Sequence, residues 1–339
     1  MDLAKRHGLR PLLINRLRQL DPAANDLREE TIGITAHNLR ATAALIEIAA
    51  AFANANIRVM GYKGPALAAL LHRNVALREF LDLDLLVSRT DVATAVTILE
   101  GLGYARDLRL TEAQQRDYLS NASTFTFEHR STRLPIELHW QLSNRYTGVR
   151  FHFDDLWARK VQVDLGSGNT IPTFSPMDQL LVLALHGTRH FWESLCWLVD
   201  IAYLLDRHPL DFDRVFRESA RLHLTGMVIL ALQLAHSCLG LNVPAYPAFD
   251  PEVIRQSLAL CFRRINTASS PTALSLAEHR AFAKLLGDRR AMLRYFVLLM
   301  STPGPAEWAE FPLPDRLHFA YPLVRLVRMM RRARPMASR

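Results

Sequence analysis

The spacing of apolar residues changes twice along the chain and divides it into three regions. Residues 1–56 show helical spacing, and neither glycine nor proline occurs between residues 34 and 56. Residues 57–165 alternate short strand-like runs with helical runs, and residues 166–339 return to mainly helical spacing. The pattern therefore predicts an N-terminal helical segment, a core of strands and helices, and a C-terminal helical domain.

The middle region carries the strand signals. Polar turn residues and glycines separate its apolar runs. The predicted strands are 57–60, 81–87, 122–129 and 134–140, and the predicted helices are 66–72 and 90–102, the second with Thr90 as its cap. A chain with strands in the middle and helices on both sides is typical of the α+β class.

The third region begins with a clear helix signal, because Ser175 suits the N-cap and Pro176 the first helical position. Further helices are predicted at 211–222, 224–240, 251–265, 276–286 and 288–300, with a proline-rich loop at 302–314. A basic, amphipathic helix is predicted at 321–334. It is a candidate for contacting nucleic acid or an anionic membrane surface, and a solvated helix end is the alternative.

Composition and charge narrow the class of protein. The chain has 339 residues with a net charge of +8, and Arg heavily outnumbers Lys, which suits paired hydrogen bonds to phosphate. Cys196, Cys238 and Cys261 lie far apart and match no metal or disulfide pattern. The N-terminus lacks the apolar core of a signal peptide, and no apolar run suits a transmembrane span. We therefore expect a cytoplasmic protein with no transmembrane segment.

Two aspartates on one predicted strand are the first candidates for chemistry. Asp82 and Asp84 alternate with Leu81, Leu83 and Leu85, so we expect the leucines to face the core and the carboxylates to share the other face. Carboxylates about 7 Å apart on one strand repel each other unless a cation lies between them. Mg²⁺ is the natural cation, because proteins bind it through one or two carboxylates and substrate phosphates. A surface strand with two solvated acids is the alternative.

Residues upstream of the aspartates offer positive charge. Lys63 and Gly64 lie at a strand-to-helix turn, where a glycine permits close backbone approach and a helix N-terminus attracts phosphate. Arg78 precedes Asp82 by four residues and is a candidate for binding phosphate or for pairing with the acids. For both basic residues the alternative is a solvated surface side chain.

Downstream, Glu137 and His139 share one face of a predicted strand. If this strand neighbours the aspartate strand, Glu137 becomes a third carboxylate, either a metal ligand or a base for an attacking hydroxyl. His139 is then a candidate for substrate binding or proton relay. The later pair His186 and His190 shares a helix face but lacks a third ligand, so substrate contact or helix packing is favoured over a metal site.

In their order and spacing these motifs resemble a poorly characterised family of nucleotidyltransferases. The motifs are Lys63-Gly64, Arg78 to Val87, Glu137 to Trp140, Ser175 to Leu181, His186 with His190, and Trp197 to Asp200. That family is similar in its core to the DNA polymerase β-type superfamily. The resemblance implies a small mixed sheet with packed helices and two Mg²⁺ ions, with Mn²⁺ as an alternative, held by Asp82, Asp84 and Glu137. It also implies transfer of a nucleoside monophosphate from a nucleoside triphosphate to a hydroxyl acceptor by in-line attack on the α-phosphorus.

Several alternatives stay open from the sequence. The acceptor is a small molecule, a peptide, a protein or an RNA. The superfamily usually carries Gly-Ser at the turn where this chain has Lys63-Gly64. That departure and the large helical region favour a weak or inactive nucleotide-binding or regulatory module of the same fold, whereas the retained acids count against it. Nucleotide-sugar glycosyltransferases also use Asp-x-Asp with a divalent ion. They need a larger sheet before that motif, and only one clear strand precedes Asp82.

Overall fold

The computed structural model describes residues 1–20, 28–267 and 274–333 of the chain. The strands are β1 Val59–Gly61, β2 Leu83–Val87, β3 Tyr104–Arg106, β4 Thr124–His129, β5 Pro135–His139, β6 Val161–Gly166 and β7 Asn169–Thr173. The helices up to the end of β7 are α1 Asp2–Arg6, α2 Arg10–Leu20, α3 Arg28–Asn54, α4 Gly64–His72, α5 Val92–Gly101, α6 Glu112–Asn121 and α7 Phe153–Arg159. The later helices are α8 Pro176–Arg189, α9 Leu195–Arg207, α10 Phe212–Arg221, α11 Thr225–Leu239, α12 Pro251–Asn266, α13 Leu276–Leu285, α14 Arg289–Ser301, α15 Pro305–Glu310 and α16 Tyr321–Ala333.

Five strands form one small mixed sheet in the order β1-β2-β5-β4-β3. Strands β2 and β5 run parallel, and the other neighbouring pairs run antiparallel. All five residues of β2 are buried, as expected for an apolar strand at the centre of a sheet. The predicted α+β class with a small mixed sheet is confirmed.

A separate two-stranded hairpin, β6–β7, packs against β1. The hairpin lies so close to β1 that a Cβ at Gly61 of β1 would lie 3.2 Å from Cδ1 of Ile171 in β7. The predicted boundary between residues 165 and 166 falls inside this hairpin. The division into three domains therefore stays a prediction, although the hairpin links the mixed core to the chain that follows.

The C-terminal helices share the core of the sheet. One hydrophobic cluster contains Ile48 of α3, Leu85 of β2, Leu181 of α8, Met227 of α11 and Tyr295 of α14. The Ser175 hydroxyl accepts a hydrogen bond from the Asp178 amide at 3.2 Å, which confirms the predicted start of α8. The site is therefore built on a single packed body of sheet and helices.

Three local predictions were wrong. Strand β2 begins at Leu83, so Leu81 precedes the strand and 72% of it is exposed instead of facing the core. Thr90 does not cap α5, because a 3₁₀ turn at Arg89–Asp91 comes first. The stretch 302–314 contains the short helix α15, in which Pro305 occupies the first turn and Glu307 accepts a hydrogen bond from the Gly304 amide.

Candidate active site

The parallel pairing of β2 with β5 sets two carboxylates side by side. Asp84 and Glu137 are direct register partners, between the apolar pairs Leu83–Ile136 and Leu85–Leu138. Because side chains alternate across a sheet, register partners project from the same face. Glu137 therefore lies beside Asp84, as predicted on the condition that the two strands were neighbours.

Two basic side chains contact this pair of acids. Lys63 Nζ donates a hydrogen bond to Asp84 Oδ1 at 3.0 Å. His139 Nε2 lies 3.1 Å from Glu137 Oε2 and 3.4 Å from Asp84 Oδ1. The structure thus brings four predicted site residues, Lys63, Asp84, Glu137 and His139, into one cluster.

Gly64 shapes the turn that delivers Lys63. Its φ is +49°, and a Cβ there would lie 3.1 Å from the backbone carbonyl oxygen of Asp82. A side chain at this position would meet both left-handed strain and a close contact. The glycine therefore lets the β1–α4 turn lie directly against the start of β2.

Asp82 occupies the residue before β2 and is half-buried. Burial and the charge of Asp84 raise the pKa of Asp82 to about 6, although Lys63 acts in the opposite direction. The charge of Asp84 therefore acts on the Asp82 carboxylate, but Asp82 does not belong to the group of three possible metal ligands described below.

The electrostatics of the cluster keep its acids ionised. Burial opposes ionisation of Asp84, but Lys63 and His139 hold the pKa of Asp84 well below its ordinary value. The hydrogen bond from His139 lowers the pKa of Glu137. Burial alone would lower the pKa of His139, yet its bonds to Asp84 and Glu137 raise it above the ordinary value. The two carboxylates therefore face two basic side chains, Lys63 and His139.

The residues fit a divalent metal ion. One ligand atom each of Asp84, Glu137 and His139 lies within 4.8 Å of the others, the single such group of three among the described residues. Asp84 Oδ2 is buried and lacks a hydrogen-bond partner in the described residues, and an unpaired buried carboxylate oxygen is costly unless a cation meets it. Two of the three predicted metal ligands belong to this group, with His139 in the place expected for Asp82.

Comparison with known protein families decides which family the chain belongs to. The family model of the uncharacterised nucleotidyltransferases matches residues 1–240. The chain belongs to this family. The predicted family and the predicted enzyme class, a nucleotidyltransferase, are confirmed.

Comparison with individual proteins adds two solved structures of low similarity. One is the lincosamide antibiotic adenylyltransferase LnuA bound to lincomycin, with 18% identity over 48% of this chain and 96% of that chain and a TM-score of 0.35. The other is an antigenic nucleotidyltransferase-like protein from Paracoccidioides brasiliensis, with 13% identity over 56% of this chain and 91% of that chain and a TM-score of 0.32. None of the curated proteins matches the chain.

Arg78 of this nucleotidyltransferase lies in a buried ion pair. Its Nε and Nη2 atoms donate to Asp200 Oδ1 and Oδ2 at 3.0 and 2.9 Å, and only 8% of its side chain is exposed. The guanidinium that was predicted to bind phosphate or the acids is thus turned to α9 instead. The pairing fixes the segment before Asp82 to the start of the helical region.

Two further residues near the site, Tyr62 and Arg189, were not predicted from the sequence. Tyr62 is fully buried, stacks on Phe174 with ring centroids 5.0 Å apart, and meets His139 edge-on at 5.4 Å. Arg189 is half-buried, makes a long 3.4 Å bond to the Leu142 carbonyl, and pairs with no carboxylate in the described part of the chain. The sequence did contain one signal for Arg189, because it is a basic residue that lies between His186 and His190.

The basic C-terminal helix is engaged within the protein where the structure describes it. Arg325 donates to the Leu299 carbonyl at 2.7 Å, and Arg328 donates to Glu307 and Glu310 at 2.7 and 2.6 Å. Residues 334–339 lie outside the described part, as do the side chains of Arg331 and Arg332. Contact of this tail with nucleic acid or an anionic surface stays a prediction. None of the described helices has the combination of length and apolar character needed to cross a bilayer.

Proposed function

We propose that this nucleotidyltransferase moves a nucleoside monophosphate from a nucleoside triphosphate to a hydroxyl acceptor, with a divalent ion held by Asp82, Asp84 and Glu137. The observation that carries the proposal is the parallel pairing of Asp84 with Glu137, together with the unpaired Asp84 Oδ2. Mg²⁺ is the expected ion, with Mn²⁺ as an alternative, because hard carboxylate oxygens and phosphates suit both ions. The three carboxylates Asp82, Asp84 and Glu137 are enough to hold two such ions.

The basic residues of the site suit the triphosphate. Lys63 already lies beside the acids, and the adjoining turn at Gly64 opens helix α4, whose N-terminus attracts anions. Arg189 carries a half-buried guanidinium without a carboxylate partner among the described residues, which is a costly arrangement unless an anionic ligand meets it. Lys63, Gly64 and Arg189 are therefore the proposed phosphate ligands, and Arg78 is a positioning residue.

The reaction forms a bond between the acceptor oxygen and the α-phosphorus and breaks the bond from that phosphorus to pyrophosphate. A bound divalent ion supplies neutralisation of the leaving pyrophosphate and acidification of the acceptor hydroxyl. Glu137 exposes 34% of its side chain against 1% for Asp84, so Glu137 is the paired acid that an acceptor can reach. It is the proposed recipient of the hydroxyl proton, and the rigid partners of Asp84 keep that carboxylate in place.

Label transfer tests the proposal. The purified protein is incubated with Mg²⁺, each α-labelled nucleoside triphosphate and a cell lysate as the source of acceptors, and both pyrophosphate release and labelled products are measured. We expect Asp82→Ala and Asp84→Ala to lower the rate at least about 10²-fold, whereas Asp107→Ala, an exposed aspartate outside the site, retains activity. Wild-type rates in the Asp82 and Asp84 variants would sink the assignment.

A specific observation also favours a second candidate, a catalytically weak or inactive nucleotide-binding module. Lys63 already forms a hydrogen bond with Asp84, and His139 with Glu137, without any ligand, so the acids are satisfied in part by the protein itself. Calorimetry discriminates the two candidates. Tight binding of a triphosphate with no pyrophosphate release in any acceptor mixture would favour the module, and turnover would exclude it.

A further inference from the structure

Three aromatic rings cluster at the corner where α8 meets α9. The ring centroids of His186 and His190 lie 4.9 Å apart, and Trp197 lies 4.8 Å from His186 and 5.5 Å from His190. All three side chains are partly exposed. We call His186, His190 and Trp197 the ring wall.

The corner that carries the ring wall is rigid. Phe191 and Trp192 adopt left-handed φ values of 47° and 54° and are fully buried. A Cβ at Gly187 would lie 2.6 Å from the Trp192 ring, so the glycine leaves the space that this ring fills. Strained backbone held by full burial indicates a fixed geometry. The ring wall is therefore preorganised before any ligand arrives.

The ring wall is tied to both strands of the active site. Arg189, next to His190, contacts the Leu142 carbonyl just beyond β5. Asp200, one turn after Trp197 on α9, holds Arg78 just before β2. The two links fasten the corner to the segment before β2, which carries Asp84, and to the segment after β5, which carries Glu137. Consistent with this position, burial and the charge of Lys63 lower the pKa of His186, and burial, Arg189 and Lys63 lower the pKa of His190 to about 4.

The chemistry of the ring wall suits a flat, uncharged heterocycle. Burial and nearby positive charges lower the pKa of both imidazoles, which favours their uncharged forms. His186 has no hydrogen bond to any described residue, and the nearest carboxylate to His190 is that of Glu193 at 3.7 Å. Partly exposed aromatic faces offer stacking, and free imidazole nitrogens offer hydrogen bonds to the edge of a base.

We propose that the ring wall binds the nucleobase of the donor nucleoside triphosphate by stacking on Trp197, with His186 and His190 at its edge. The inference rests on the proposed function, because it places the base of the same nucleotide whose phosphates meet Lys63 and Arg189. It adds a subsite on helices α8 and α9 to a site otherwise built on the sheet.

Calorimetry with two probes tests the inference. Each of the four ribonucleoside triphosphates, and separately inorganic tripolyphosphate, is titrated with Mg²⁺ into the full-length protein and its variants. Loss of one stacked base contact predicts that Trp197→Leu weakens triphosphate binding about tenfold or more. Tripolyphosphate has no base, so its affinity should stay within about twofold. Trp197→Phe keeps a ring and should recover most of the loss, and His186→Leu should also weaken the nucleotides selectively.

The matched control is Trp157→Leu, because Trp157 on α7 is also partly exposed but packs against Phe153 on the same helix and Lys160 just after it. It should bind both probes as the wild type does. Unchanged nucleotide affinity in Trp197→Leu would overturn the inference, and so would a parallel loss of tripolyphosphate, since that would mean damage to the phosphate ligands. A wild-type protein that binds neither probe would instead overturn the proposed function as well.

Discussion

At the scale of single residues, the two basic side chains that precede the acids, Lys63 and Arg78, have different roles. Lys63 lies against the acids, whereas Arg78, closer to them in sequence, is buried against Asp200. The difference follows from shape, because the planar guanidinium bonds both carboxylate oxygens at once. The sequence could identify both basic residues, but their partners depend on contacts that no local pattern contains.

The buried ion pair predicts a large loss of stability when it is broken. Arg78→Met leaves Asp200 as an uncompensated buried charge, and we expect the free energy of unfolding to fall by about 3–5 kcal/mol in urea denaturation. The matched control is Arg58→Met, because Arg58 pairs with Asp154 on the surface with side chains 44% and 80% exposed. That change should cost less than about 1 kcal/mol. An Arg78 variant with wild-type stability and a raised KM for the triphosphate would instead favour a phosphate ligand.

The glycine at the turn makes a second residue-scale prediction. Gly64→Ala should destabilise the protein by about 1–3 kcal/mol, because it combines a positive φ with a close contact to the Asp82 carbonyl. Gly33→Ala, at an exposed position in the second turn of α3 with open space around it, should instead be neutral or stabilising. Thermal or urea unfolding of the two variants measures the contrast, and equal effects would contradict it.

At the scale of elements, the ion pair that joins Glu278 of α13 to Arg264 of α12 tests how pairing and burial set the pKa of a carboxyl group. Burial would raise the pKa of Glu278, but Arg264 and the Ser275 cap lower it from 4.5 to about 2. A lowered pKa in the folded state means that the stabilisation is complete above pH 4.5 and is lost as the pH falls towards 2.

We therefore expect Glu278→Gln to destabilise the protein by about 1–3 kcal/mol at pH 7, because Arg264 loses its charged partner. The gap from wild type should narrow as the pH falls below 4.5, as urea unfolding at several pH values would show. Glu252→Gln is the control, since Glu252 is half-exposed and pairs with an exposed arginine. If the difference in unfolding free energy between variant and wild type stayed constant from pH 7 to pH 3, the ionised form of Glu278 would not be the source of the stabilisation.

Most long elements follow from periodicity, but short ones do not. The five helices predicted between residues 211 and 300 all occur, because each has a long apolar stripe. The hairpin β6–β7 was missed, although residues 161–173 alternate around a Gly-Ser-Gly-Asn turn that signals it. The three-residue strand β3 is too short to show any period.

At the scale of the whole molecule, the site depends on strand order more than on any motif. Asp84 and Glu137 are 53 residues apart, and they become neighbours because β5 inserts between β2 and β4. Alternation predicted which face each acid occupies, but not which strands adjoin. The ring wall and Arg189 depend in the same way on how α8 and α9 pack, so the sequence alone could not place them beside the acids.

The central claim is that Asp84 and Glu137 act together to hold a divalent ion at this junction of sheet and helices. The most direct measurement is Mn²⁺ binding by electron paramagnetic resonance, with a non-hydrolysable triphosphate, in the wild type, Asp84→Asn, Glu137→Gln and the double variant. We expect each single variant to weaken binding at least about tenfold and the double variant to lose little more. Asp107→Asn serves as the control with unchanged binding. Wild-type Mn²⁺ affinity in either Asp84→Asn or Glu137→Gln would contradict the claim.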